Sequence, residues 1–248
     1  MDKQYSLNEK YQEYEHNLLT IKTYFQANSN AIHKARNELK IITFGTLQTV
    51  VKSFKIPNII NKIAYTFFRD SKAKKSYEYS IKIGSFTPEP IGYIEFYKNG
   101  LLDESYFIAK KFDYDFTIKE PITNKKLPNR DAIFQAFAKF TYDLHQNNIL
   151  HKDYSPGNIL VKKEKDIYVF KIVDINRMEF HELSLDERLK NFAKLWLLDE
   201  DLVTIIKAYA KLVQEDEKKC IQTALKYSHT LKRKINIKKR LKGIEVVN

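Results

Sequence analysis

Asp153 and Asn158 stand five residues apart in Ile149-Leu150-His151-Lys152-Asp153-Tyr154-Ser155-Pro156-Gly157-Asn158-Ile159-Leu160. A further acid, Asp174, closes the apolar run Phe170-Lys171-Ile172-Val173. These residue types suit phosphoryl transfer. That chemistry asks for an oriented hydroxyl, charge compensation on phosphate oxygens and divalent cations, but little covalent work from the protein. The Asp153 carboxylate can orient an attacking hydroxyl and accept its proton. Asn158 and Asp174 offer hard oxygen ligands of the kind Mg²⁺ accepts beside water and phosphate oxygens. Pro156 and Gly157 suit a loop that must reverse sharply before Asn158.

The flanking elements can hold such a loop. Arg130 to Asn147 reads as an amphipathic helix, with Ile133, Phe137, Phe140, Tyr142 and Leu144 near helical spacing. Ile159 to Val161 and Tyr168 to Val173 read as strands joined by a charged turn, Lys162 to Asp166. Helix, loop, strand, turn, strand and Asp follow the order around the protein-kinase catalytic loop. That loop has the pattern H-R-D-x-x-x-x-N, with a metal-binding Asp after the next strand. The chain therefore resembles the kinase superfamily. His151 is expected to hold the loop rather than to move protons.

A kinase also needs a strand Lys on the α/β-phosphates and a helix Glu to pair with it. Thr49-Val50-Val51-Lys52-Ser53-Phe54 resembles the V-A-I-K strand, which nominates Lys52. An irregular segment with Pro57 follows. Lys72 to Ile83 can form a helix on which Glu78 is the one acid. Glu78 is the expected partner of Lys52, and an intrahelical pair with Lys74, Lys75 or Lys82 is the competing expectation. No G-x-G-x-x-G is present. The phosphate-covering loop is placed between Ala27 and Asn37, before the strand Glu38 to Thr43, with Lys34 or Arg36 as phosphate contacts. The apolar run Ser105 to Ala109 reads as a strand leading into a hinge. Ala109, Lys110 and Lys111 are the residues expected against an adenine.

Composition bounds the rest. The 248 residues suffice for one two-lobed core, and 43% hydrophobic content with sixteen Tyr and sixteen Phe can fill it. The expected fold is α+β. A small antiparallel sheet lobe with one helix, 1–113, precedes a mainly helical lobe, 114–248. The single Cys220 excludes an intrachain disulfide and fits a reducing compartment. No leader-type apolar stretch opens the chain, and no run is long enough to span a bilayer, so a cytoplasmic location is expected. The formal charge is +12, and Lys226 to Lys242 holds eight Lys or Arg and no acid. This basic tail, 226–242, suits an anionic membrane surface; no nucleic-acid partner is expected.

Departures from the protein-kinase pattern narrow the class. Lys152 replaces the Arg, Tyr154 follows the Asp, and Ile175-Asn176 follows Asp174 in place of Phe-Gly. No A-P-E is present, and only Arg177 to Ser184 separates Asp174 from the helical pattern Leu185 to Leu198. That is short for presenting a peptide.

Four words resemble the bacterial lipopolysaccharide kinase (Kdo/WaaP) family: Val51-Lys52-Ser53-Phe54-Lys55, Ser71 to Glu78, Thr87-Pro88-Glu89-Pro90-Ile91, and Val173 to Met178. The resemblance runs from about Arg36 to Leu198. It implies a protein-kinase-like fold, ATP and Mg²⁺ as cofactors, and a sugar hydroxyl of the lipid-linked core (Kdo or heptose) as acceptor. It also implies peripheral work at the inner face of the inner membrane. Carried over by position, Lys52 matches the ATP-binding Lys, Glu78 its partner, Asp153 the catalytic Asp, and Asn158 and Asp174 the metal ligands. The rival expectations are an aminoglycoside- or choline-type phosphotransferase, an atypical protein kinase, and a pseudokinase that binds a partner.

Overall fold

The computed structural model describes residues 2–29, 31–34, 37–55 and 58–244. The chain divides into two compact units, 1–113 with 174–176, and 114–173 with 177–248. Their architecture is mixed, an antiparallel sheet unit and a mainly helical one.

The first unit runs β1 (Lys3–Leu7), α1 (Glu15–Leu19), α2 (Ile21–Ala27), β2 (Ala31–Lys34), β3 (Asn37–Phe44), β4 (Leu47–Lys55), α3 (Ile59–Phe67), α4 (Lys72–Ile83), β5 (Pro90–Lys98) and β6 (Leu101–Lys110). The strands form one antiparallel sheet in the order β1-β5-β6-β4-β3-β2. On β3, Lys40, Ile42 and Phe44 are buried at every second position, as a strand with one covered face requires. Leu18, Ile21 and Phe25 of α1 and α2 close that face over Ile42, Val51, Ile94, Phe96 and Ile108. The other face is covered by α4, whose Ala73 and Tyr77 pack with Phe54 and Tyr93. β5 is therefore buried on both faces from Pro90 to Phe96. Gly92 lets β1 lie against it: a Cβ there would sit 2.7 Å from the Ser6 carbonyl oxygen. Ser71 caps α4 by accepting the Lys74 N–H at 3.0 Å, and Gly84, at φ +54°, ends it.

The second unit runs β7 (Phe116–Thr117), α5 (Lys119–Thr123), α6 (Arg130–Gln146), β8 (Ile149–His151), β9 (Ile159–Glu164), β10 (Ile167–Ile172), β11 (Met178–Phe180), α7 (Leu185–Asn191), α8 (Asp199–Val213) and α9 (Glu217–Arg240). α6 turns Ile133, Phe134, Phe137, Ala138, Thr141, Leu144 and His145 inward, an i, i+3, i+4 stripe that packs against α8. Buried Asp201 anchors the start of α8 through Arg130 at 2.5 Å and Lys125 at 3.1 Å. Ser184 and Glu187 form a capping box at the start of α7. The helical pattern expected from Leu185 to Leu198 is broken: a 3₁₀ turn follows α7, and Trp196 ends it in the left-handed region. Among the described residues no helix is long and apolar enough to cross a membrane.

The segment after Lys52 also departs from expectation. It is not irregular throughout but contains α3, whose Asn58 cap accepts the Asn61 N–H at 2.9 Å.

Candidate active site

The loop carrying Asp153 and Asn158 is fixed at both ends within the second unit. β8 pairs with β11, His151 opposite Met178, and the Lys152 N–H donates to the Arg177 carbonyl at 3.0 Å. At the far end the Val173 N–H donates to the Asn158 carbonyl at 2.9 Å. Antiparallel pairing of β9 with β10, Ile159 opposite Ile172, continues that register.

Inside the loop the polar groups satisfy one another. His151 is buried; its Nε2–H donates to the Val173 carbonyl, and its Nδ1 accepts the Asp153 N–H, both at 3.0 Å. These two bonds fix a neutral tautomer, so His151 is a scaffold. Tyr154 is fully buried and shares a 2.8 Å hydrogen bond with Thr141 Oγ1 on α6. Burial pushes its phenol far above the usual range, so it stays protonated. The Asp153 carbonyl accepts the Ser155 N–H at 2.7 Å and Asn158 Nδ2–H at 2.9 Å. The Asp153 carboxylate itself is 44% exposed, with Arg177 Nη1 at 3.8 Å. A rigid backbone thus presents an accessible carboxylate, the arrangement a hydroxyl-orienting base requires.

A buried polar relay supports the loop. Tyr209 O–H donates to His145 Nδ1 at 2.7 Å, His145 Nε2–H to Asn191 Oδ1 at 3.3 Å, and Asn191 Nδ2–H to the His151 carbonyl at 3.0 Å. Burial holds the His145 imidazole down to about 4, so it is neutral near pH 7.

In the first unit, Lys52 projects from β4 and its Nζ lies 2.7 Å from Asp174 Oδ1. Asn176 Nδ2 donates to the same oxygen at 2.7 Å. Asp174 sits at φ +58°, a left-handed conformation sparsely populated by non-glycine residues. Such a position is held only where the surroundings over-determine it. Here Lys52 and Asn176 both fix its carboxylate.

The expected Lys52–Glu78 pair is not formed. Glu78 is exposed and lies 3.9 Å from Lys74, one helical turn back. The buried stripe of α4 is Ala73, Ser76, Tyr77, Ser80 and Ile83, which turns Glu78 away from the sheet. The acid on Lys52 is Asp174.

Lys34 ends β2, with its backbone paired to Glu38; its side chain and Arg36 lie outside the described residues. The β2–β3 hairpin directly precedes the Lys52 strand. Ala109 is buried in β6 opposite Val50. The Lys110 and Lys111 N–H groups donate to the Glu89 and Gln48 carbonyls at 2.8 and 2.9 Å. An adenine could reach these two residues only through a carbonyl or a side chain. The unanticipated site neighbours Asn176 and Arg177 lie in the word Val173 to Met178, where one points at Asp174 and the other approaches Asp153.

Each unit by itself carries groups that could serve Mg²⁺ or phosphate oxygens. Asn158 donates an amide hydrogen to the Asp153 carbonyl, and its Oδ1 is an oxygen of the kind Mg²⁺ accepts. Asp174 supplies a carboxylate, and Lys52 a cation suited to phosphate oxygens.

The sequence matches no family model and no curated protein. Among solved structures it is similar to WaaP in complex with acyl carrier protein. The match has 13% identity, spans 93% of this chain and 97% of that one, and has a TM-score of 0.62. At this identity the likeness is one of fold: the chain has a WaaP-like kinase fold.

Proposed function

We propose that this protein is an ATP-dependent kinase that phosphorylates a sugar hydroxyl of the lipopolysaccharide core. The single observation that carries the reading is the Lys52–Asp174 ion pair, which joins two of the charged residues the motifs nominate across 122 positions. A bound Mg·ATP would supply the transferable phosphoryl group. Lys52 would hold phosphate oxygens by charge, and Asp174 and Asn158 would each offer an oxygen to the cation. Asp153 orients the acceptor hydroxyl and takes its proton, while His151, Tyr154 and Asn191 keep its backbone still.

Two features favour a small acceptor over a peptide. The stretch after Asp174 folds straight back as β11 on β8, and α7 begins at Leu185, which leaves no long segment to present a polypeptide. The net charge of +12 favours an anionic acceptor, as a lipopolysaccharide core is. The tail 226–242, in α9 and just beyond it, is the proposed contact with an anionic membrane surface at the cytoplasmic face.

A thermal-shift titration with ATP, with and without Mg²⁺, tests the nucleotide site. Binding to the folded state alone must raise Tm. A Mg²⁺-dependent rise that is lost in Asp174→Asn is expected, and no rise at saturating ATP would favour the pseudokinase. Phosphate transfer to core glycolipid should exceed transfer to aminoglycoside, choline or peptide. A reversed preference would replace the acceptor assignment.

A further inference from the structure

Helix α3 presents its two faces the wrong way round for a soluble domain. Such a helix ordinarily buries its apolar stripe and exposes its polar one. Here the polar side meets the sheet: Lys62 forms an ion pair with Asp103 on β6, and Thr66 Oγ1 accepts the Leu102 N–H at 2.9 Å. Ile59, Ile60, Ile63 and Phe67 share one arc of the helix, and all four are exposed, Ile60 by 74% and Phe67 by 66%. Phe68, next in the chain, is 79% exposed and meets Phe67 edge to face. Five large apolar side chains on so short an element form a patch that water alone does not explain.

Charge indicates what covers it. No Asp or Glu occurs between Glu38 and Asp70. Arg69 follows the two phenylalanines and has no acidic partner among the described residues. A nine-residue helix is about 14 Å long. That is a small stripe beside the roughly 1,200–2,000 Å² of a stable protein interface. A bilayer demands much less of the helix, because interfacial helices bury an apolar face only about 5–10 Å deep, with cations at headgroup level.

We propose that α3 is an interfacial helix that seats the first unit on an anionic lipid surface. Ile59, Ile60, Ile63, Phe67 and Phe68 insert at the acyl boundary, and Arg69 meets lipid phosphates. The contact requires neither nucleotide nor the Asp153 loop, and it is separate from the tail 226–242.

Flotation of the full chain with vesicles of phosphatidylcholine, alone or mixed with phosphatidylglycerol, tests this without ATP. The wild type should float with the anionic vesicles, less so as salt rises. The double variant Ile60→Ser/Phe67→Ser should partition at least tenfold more weakly, about 1.4 kcal/mol. Its ATP-induced thermal shift should be unchanged, which separates this outcome from failure of the kinase reading. An environment-sensitive fluorophore on Ile60→Cys should shift to the blue on anionic vesicles, and one on Gln12→Cys should not. Equal flotation of variant and wild type, or an unshifted probe at position 60, would move the contact to the tail and overturn the proposal. So would a wild type that ignores vesicles. A lipid-free dimer of the wild type that the double variant abolishes would replace the bilayer with a second copy.

Discussion

Asn191 Nδ2 donates to the backbone carbonyl of His151 at 3.0 Å, so the loop that carries Asp153 is held by a side chain forty positions downstream. The same Asn191 accepts from His145, which accepts from Tyr209. One buried amide therefore couples α6, α7 and α8 to the loop. Asn191→Ala removes the hydrogen bond to the His151 carbonyl and the one to His145 Nε2–H together. Each buried group left unpaired costs about 1–3 kcal/mol. For a chain of this size that corresponds to a fall in Tm of roughly 4 °C or more. Beyond the stability loss, kcat should fall more than KM, because the Asp153 backbone is displaced. A full kcat at temperatures where the variant remains folded would show that the amide only packs.

Asp153→Asn keeps the shape of the loop and removes the base. The bonds from the Ser155 N–H and from Asn158 Nδ2–H to the residue-153 carbonyl survive. Turnover should drop by about 10²–10⁴-fold, the usual contribution of a positioned base. The ATP-induced thermal shift should stay at the wild-type size. Near-normal turnover would remove Asp153 from the chemistry.

Lys52→Met removes the cation on Asp174 and keeps the Asn176 hydrogen bond to its carboxylate. Nucleotide affinity should fall, read as loss of most of the ATP-induced shift in Tm. A retained shift would mean that Lys52 serves the fold alone.

The parts of this site that were legible in the sequence are local ones. His151, Asp153 and Asn158 lie within eight positions, and their hydrogen bonds run among themselves and to the adjoining strands, so residue types and spacing suffice. The α6 stripe and the β9–β10 pair follow from apolar period. α4 shows where such reading stops. Its inward face is built from Ala73, Ser76 and Ser80 as much as from Tyr77 and Ile83, so no apolar stripe marks it. Without that mark, Glu78 could not be oriented, and the true partner of Lys52 lay far along the chain. α3 shows the converse. Its apolar period is clear, but period alone does not say which face meets the sheet; Lys62–Asp103 and Thr66–Leu102 decide that. The relay through His145 and Asn191 left no sequence signal, because a lone His on an apolar helix face has many uses.

Acid should weaken the fold through His145. Burial lowers its imidazole from 6.5 to about 4 in the folded state, while the unfolded chain titrates near the ordinary value. Above pH 6.5 both states are neutral and the group is silent. Between 6.5 and 4 the unfolded state binds the extra proton, so stability falls as pH falls, and the loss levels off below 4. One pKa unit corresponds to 1.36 kcal/mol, which puts the full loss at about 3 kcal/mol. Urea unfolding at several pH values across this window should show the decline in the wild type. His145→Gln should be less stable at pH 7 but should lose less on acidification, because it has no proton to gain. Parallel pH profiles for the two proteins would mean that His145 titrates freely in the fold and that the neutral relay beneath the Asp153 loop is not maintained.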